Sequence, residues 1–148
     1  EGPMIRERLQ EEIKNAMRAK DSVRLDCLRM AKGAILMKEK ESSAEVSEEA
    51  VIAVLRAEIK KRQQSIEIFR EHHRETEALA AENEIRIIEE FLPKQLSEDE
   101  LEARVRAYLA EHPEVSHPGK LTGAMKKELG DLAEGKMLNE VCKRVLES

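Results

Sequence analysis

Aromatic side chains are almost missing from this chain: it has no tryptophan, and Phe69, Phe91 and Tyr108 are the whole set among 148 residues. A hydrophobic core must therefore be built from Leu, Ile, Val, Met and Ala. Stacking of single-stranded bases on exposed rings is excluded as a main binding mode. Long apolar runs are lacking too, since no stretch approaches the ~18 residues a membrane span requires. The first residues show no basic-then-apolar signal segment, which points to a cytoplasmic protein. Glu1-Gly2-Pro3 ahead of Met4 has the look of a cloning remnant and is left out of the fold. Cysteine is scarce: Cys27 and Cys142 each sit among apolar residues, as expected for buried, reduced thiols rather than a disulfide. Histidine offers no metal site. His72 and His73 are adjacent and point about 100° apart on a helix, while His112 and His117 lie near prolines in a predicted loop. Cys142 has no cysteine partner at zinc-site spacing, so neither a metal nor a cofactor is expected.

Charge, in contrast, is abundant. Charged residues make up 39% of the chain, with a formal net charge of −5, which argues against a wholesale nucleic-acid coat. The average conceals segregation. Between residues 14 and 40 stand eight Lys/Arg against Asp21, Asp26 and Glu39, whereas residues 75–90 hold six Glu against Arg86 alone. Such blocks either form solvated faces or pair with each other inside a bundle, and local fields outweigh the total when a partner approaches.

Apolar spacing predicts helices throughout. Ile5, Leu9, Ile13 and Met17 recur every fourth residue and place a first helix at about 5–20. Asp21 or Ser22 can cap a second helix that runs to about Glu41. Its segment 24–37 carries nine apolar residues that surround most of the helix, so it is expected to be covered on several sides, with Gly33 admitting a close neighbour. Glu41-Ser42-Ser43 reads as the turn. Ser47 caps a long third helix on Val51, Leu55, Ile59, Ile66 and Phe69, with Glu48 and Glu49 at its positive N-terminal end. A fourth spans about 76–92 on Leu79, Ile85, Ile88 and Phe91, and Pro93 ends it. The expected class is all-α: an up-and-down bundle of about four helices over residues 4–93, followed by a three-helix domain over 97–148. Pro93-Lys94-Gln95-Leu96 reads as the linker. Ser97 and Glu100 form a capping box for a fifth helix to about Glu111. Two short helices follow, at about 119–129 on Leu121, Met125 and Leu129, and at about 136–146 on Met137, Val141 and Val145. Gly130 and Gly135 bracket the turn between them.

Motifs for catalysis are weak or missing. Carboxylates on helices this charged are expected to solubilise rather than act as an acid–base pair. Gly119-Lys120-Leu121-Thr122-Gly123 brushes against phosphate-loop composition, but it lacks the leading glycine, a Ser/Thr directly after the lysine, and a preceding strand. No serine lies in a GxSxG elbow. A helical protein can nonetheless hold folded RNA by phosphates and shape, and the tail concentrates Lys120, Lys126, Lys127, Lys136, Lys143 and Arg144.

Three segments, taken together, resemble the YqeY family. These are AMRAKDSVRLDCLRM (16–30); KRQQSIEIF (61–69) continued through Arg74, Leu79, Glu82, Glu84-Ile85 and Phe91-Leu92-Pro93; and GKLTGAMKKELGDLAEGKMLNEVCKRVL (119–146). The last is similar to the ending that YqeY proteins share with the tail of the GatB subunit of the glutamine-dependent tRNA amidotransferase. The resemblance implies a helical bundle followed by a three-helix domain. It implies an association with carbon–nitrogen ligase activity using glutamine as amido donor. The ammonia-releasing and ATP-dependent parts of that enzyme have no counterpart here, so this chain is expected to be a non-catalytic accessory module. Its expected partners are tRNA, and the amidotransferase or other translation-related proteins, with no DNA and no membrane among them. Carried onto matching positions are Gly119, Lys120, Met125, Gly130, Gly135, Lys136 and Asn139. The glycines are read as turn formers and Met125 as core. Lys120 and Lys136 are read as phosphate contacts, and Asn139 as a polar contact or helix cap. The candidate RNA-binding set is thus Lys120, Lys126, Lys127, Lys136, Asn139, Lys143 and Arg144. Asp131-Leu132 departs from the family, in which a basic residue often follows the first glycine, and a carboxylate there would repel phosphate. His72-His73 is a second departure. The competing expectation is a protein-interaction module that uses the 14–40 or 75–90 charge block and binds no RNA.

Overall fold

Helix-capping chemistry decides where most elements begin. The computed structural model describes residues 4–148, so the tripeptide ahead of Met4 lies outside the described residues. The chain is all-α. Among the described residues there are seven α-helices and one 3-10 turn: α1 Ile5–Ala19, α2 Ser22–Ser42, α3 Glu48–Glu71, α4 Glu75–Glu89, α5 Glu98–Glu111, α6 Pro118–Leu129, the turn Gly130–Leu132, and α7 Gly135–Glu147. The Asp21 carboxylate accepts the Arg24 amide, and the Ser47 hydroxyl accepts the Ala50 amide. Ser97 and Glu100 exchange both bonds of a capping box. The chain forms two compact units, one running up to Leu92 and the other spanning Pro93–Ser148.

In the first unit, α2 packs on α1, α3 and α4, and α3 packs along α4. Its core gathers Leu9 and Ile13 of α1, Leu28 and Ile35 of α2, Val51 and Leu55 of α3, and Ile88 of α4, closed by Phe91. The start of α1 is anchored by polar groups: the Ile5 amide donates to the Glu48 carboxylate at 3.1 Å, and Arg6 meets Glu39 at 2.6 Å. Inside the α3–α4 seam lies a buried guanidinium. Arg62 Nη1 donates to the Glu58 carbonyl at 2.8 Å and to the Glu58 carboxylate at 3.1 Å. Its Nη2 meets Met30 Sδ at 2.8 Å and Glu84 at 3.7 Å, while the buried Nε has no partner.

The second unit closes on Leu101 and Val105 of α5, Leu121, Met125 and Leu129 of α6, and Leu138, Val141, Cys142 and Val145 of α7. Residues read from sequence as a linker are partly built into it. The Leu96 amide donates to the Leu132 carbonyl at 2.8 Å and Gln95 Nε2 to the Asp131 carbonyl at 2.9 Å, because the extended stretch of backbone before α5 needs partners that a helix does not provide.

Several expected core positions change. Met17 is 52% exposed and Ala16 is buried instead. A strict four-residue repeat drifts 40° per step at 100° per residue, so Met17 falls 120° from Ile5 and Ala16 only 20°. Leu79 is 54% exposed, while Ala78 and Ala81 face the core and let α4 approach α3 closely. The all-round covering expected for α2 is also incomplete. Cys27, Leu28, Ala31 and Ile35 are buried, but Leu36 and Met37 are exposed, and a Cβ placed on Gly33 would meet nothing within 4 Å.

Leu55→Ala is expected to cost about 2–5 kcal/mol, and Leu79→Ala to stay within about 0.5 kcal/mol, as measured by urea denaturation. The carboxyls of Glu12, Glu58, Glu100 and Glu102 are all held below their ordinary range. Asn15 followed by Arg24 does this for Glu12, and the Ser97 amide for Glu100. Arg144 followed by Arg106 does it for Glu102, and at Glu58 burial pushes upward but bonds from Arg62 and Lys61 outweigh it. A depressed folded-state value contributes stability above the unfolded value of about 4.3 that is lost as pH falls through the folded value. The melting temperature is therefore expected to hold from neutrality down to about pH 5 and to fall below about pH 4.3.

Candidate nucleic-acid interface

The α6–turn–α7 hairpin carries the candidate site, and local chemistry shapes it. His117 opens α6: its Nδ1 accepts the Gly119 amide at 3.0 Å, and Pro118 occupies the first turn, where no amide donor is needed. A Cβ on Gly119 would come within 3.0 Å of the His117 ring, so the glycine makes room for the cap. Gly130 ends α6 at φ 55° and ψ −131°, a conformation side chains rarely adopt. Glu134 caps α7 by accepting the Lys136 and Met137 amides at 3.2 and 2.7 Å. Gly135 opens α7 with open space about its Cα. Asn139 lies inside α7 with its side chain exposed, so it is not a cap. The Gly119–Gly123 segment is helix, not a phosphate loop.

The six tail cations do not form one patch. Arg144 is drawn toward α5, with Nη1 2.7 Å from Glu98 and Nη2 2.8 Å from Glu102. Its charge is thereby matched by carboxylates, and their hydrogen bonds raise its pKa. Among the described residues, Lys120, Lys126, Lys127, Lys136 and Lys143 are exposed and make no ion pair. On α6 the buried face is Leu121, Thr122, Met125 and Leu129. At 100° per residue the opposite face is Lys120, Gly123 and Lys127, with the lysines seven residues and thus about 10.5 Å apart. The exposed Gly123 between them carries no side chain. Lys126 lies on the flank, and the last-turn placement of Lys126 and Lys127 also suits the negative end of the helix dipole. On α7, Lys136 and Lys143 repeat the seven-residue spacing opposite the buried Leu138, Val141, Cys142 and Val145, but Glu140 and Glu147 share that face. The α6 face is thus the cleaner cation row. Gly123, which makes it flat, is absent from the set read off the sequence. The signal for it is the four-residue spacing from Gly119 on a helix.

Of the competing charge blocks the acidic one is largely spent internally, whereas in the basic one only Arg24 and Lys38 make ion pairs among the described residues. Glu75 and Glu82 pair with Arg70, Glu77 with Arg74, Glu84 with Arg62, and Glu90 with Arg24, which also holds Glu12 at 2.8 Å. Both thiols are buried, and desolvation pushes Cys27 up to about 11 and Cys142 upward as well. Among the described residues no three His, Cys, Asp or Glu side chains converge as metal ligands do, and no helix is long and apolar enough to cross a membrane.

Fold and surface together define an all-α protein of two compact helical units, the second presenting a lysine row on one helix. Sequence comparison supplies the family: the profile described as "Yqey-like protein" matches residues 6–146, nearly the whole chain, and the chain belongs to that family. Comparison with curated proteins found no match.

Two outcomes follow from this geometry. Gly130→Ala is expected to cost on the order of 1–3 kcal/mol for its positive φ, while Gly135→Ala stays within about 0.5 kcal/mol, read by thermal melts. A thiol reagent at pH 8 should label neither cysteine in the folded chain and both after unfolding, because the thiolate is the reactive form and burial suppresses it.

Proposed function

We propose that the second unit is an RNA-binding module that docks on the phosphate backbone of folded RNA, with tRNA as the ligand that the resemblance to the GatB tail selects. The supporting observation is the α6 face, where Lys120 and Lys127 are exposed and, among the described residues, unpaired on either side of Gly123. Unpaired cations gain most from phosphate, since no internal pair has to break and condensed counterions are released on binding. Gly123 lets a sugar-phosphate chain come close to the helix backbone. Lys126, Lys136, Asn139 and Lys143 extend the surface, and Arg144 serves the α5–α7 packing instead. In this reading the chain is a non-catalytic accessory of tRNA-dependent amidation. The first unit has a structural role, its acidic stretch being paired within its own helices.

Binding of labelled tRNA, followed by fluorescence anisotropy over a salt series, tests the reading. The logarithm of affinity should fall linearly with that of salt, at about −0.7 to −0.9 per neutralised phosphate. Lys120→Ala with Lys127→Ala should flatten the slope by about 1.4 to 1.8, and Arg144→Ala should leave it nearly unchanged. No binding at low salt, or a slope indifferent to the lysine pair, refutes the proposal. Incubated with glutamine, ATP and charged tRNA, the chain alone is expected to release no glutamate above a blank.

A further inference from the structure

One surface of the first unit has no explanation within a single chain. Nine large apolar side chains are exposed among the described residues, and four of them (Val23, Met30, Leu36 and Met37) belong to α2, with Met37 67% and Leu36 50% exposed. At 100° per residue, Val23, Asp26, Met30, Gly33, Met37 and Lys40 share an arc of about 100° on the exposed side of α2, Met30 remaining 39% exposed although its Sδ meets Arg62 Nη2 at 2.8 Å. They recur at alternating intervals of three and four, the spacing of a helix seam made to meet another helix, and Leu36 flanks the row. Gly33 is the anomaly in the middle. It costs about 1 kcal/mol of helix propensity relative to Ala, yet no neighbour in its own chain needs the space.

We infer that this face of α2 is a homodimer seam, in which α2 crosses α2 of a second copy antiparallel, with the two-fold axis at Gly33. Charge selects both the occupant and the direction. Asp26 lies seven residues before Gly33 and Lys40 seven after, and among the described residues neither has an ion-pair partner in its own chain. An antiparallel crossing at Gly33 sets Asp26 against Lys40 of the other copy, twice by symmetry. A parallel crossing would oppose Asp26 to Asp26 and Lys40 to Lys40. The antiparallel crossing also sets Met30, three residues before the axis, against Leu36, three after it, and Met37, four after it, against the aliphatic stem of Arg29, four before it. Gly33 meeting Gly33 lets the helix axes approach more closely than larger residues would. The ends of the row are quiet, because Arg6 is already held by Glu39 and Glu45, and Lys38 lies 4.0 Å from Glu41. A single helix pair buries less than the ~1,200 Å² of a standard stable interface, so association is expected to be weak and concentration-dependent.

Sedimentation equilibrium of the full chain, from about 5 to 500 µM, reads the association directly. Met37→Lys is expected to abolish it while leaving the circular dichroism unchanged, since the side chain is exposed and the new charge would face Arg29 of the other copy. Asp26→Lys and Lys40→Asp should each weaken self-association by at least about tenfold, through like-charge contacts. Mixing those two single variants should restore dimers. The lysine introduced in one copy then faces the aspartate introduced in the other, and the unchanged Lys40 of the first faces the unchanged Asp26 of the second. Gly33→Cys should form an intermolecular disulfide across the axis under mild oxidation. A chain that is monomeric throughout the range overturns the proposal and leaves the face to some other helix. A dimer indifferent to Met37→Lys, or variants that do not recover on mixing, places the interface elsewhere and overturns it equally.

Discussion

Everything in this protein depends on aliphatic side chains from neighbouring helices filling one another's gaps, because rings are almost unavailable. Phe91 is the one aromatic in the buried core of the first unit, and the second core has Tyr108 only at its margin. Leu, Ile, Val and Met bury modest area each, at about 25 cal/mol per Å², so many must converge. That demands helices with a continuous buried face and close mutual approach. The alanines at 78 and 81 meet this demand in α4.

Charge organises what the cores leave outside. In the first unit most carboxylates of α4 and its end are matched by arginines from α2, α3 and the α3–α4 turn, and one of these, Arg62, is buried against Glu58 with Glu84 nearby. Removing one partner of such a pair leaves a buried charge uncompensated, which is far more costly than losing an exposed pair. In the second unit Arg144 bonds two carboxylates of α5, while the lysines of α6 and α7 stay unmatched among the described residues. The same residue types therefore give an inert face on one helix and a receptive one on another.

Legibility followed the range of the interaction. Caps at Asp21, Ser47 and Ser97 were readable because the side chain and the amide it binds are three residues apart. The tail cations could be named from sequence but not sorted. Nothing near Arg144 in sequence announces Glu98 and Glu102, more than forty residues earlier. The role of Glu134 as the α7 cap is hard to read because glutamate is an uncommon cap, and Asn139 looks the better one. Gly33 reads from sequence as a close-packing site for its own bundle, whereas it faces outward.

By itself the sequence determined the all-helical class, the capped starts of α2, α3 and α5 and the family, since these rest on local hydrogen bonding, apolar periodicity and motifs that need no knowledge of neighbours. Tertiary structure alone decided which apolar residues go inside: Ala78 over Leu79, Ala16 over Met17, and one side of α2 rather than its whole girth. It alone decided which cations remain free. Both outcomes depend on which helix lies against which, and that is set by the summed packing of distant segments rather than by any one stretch of chain.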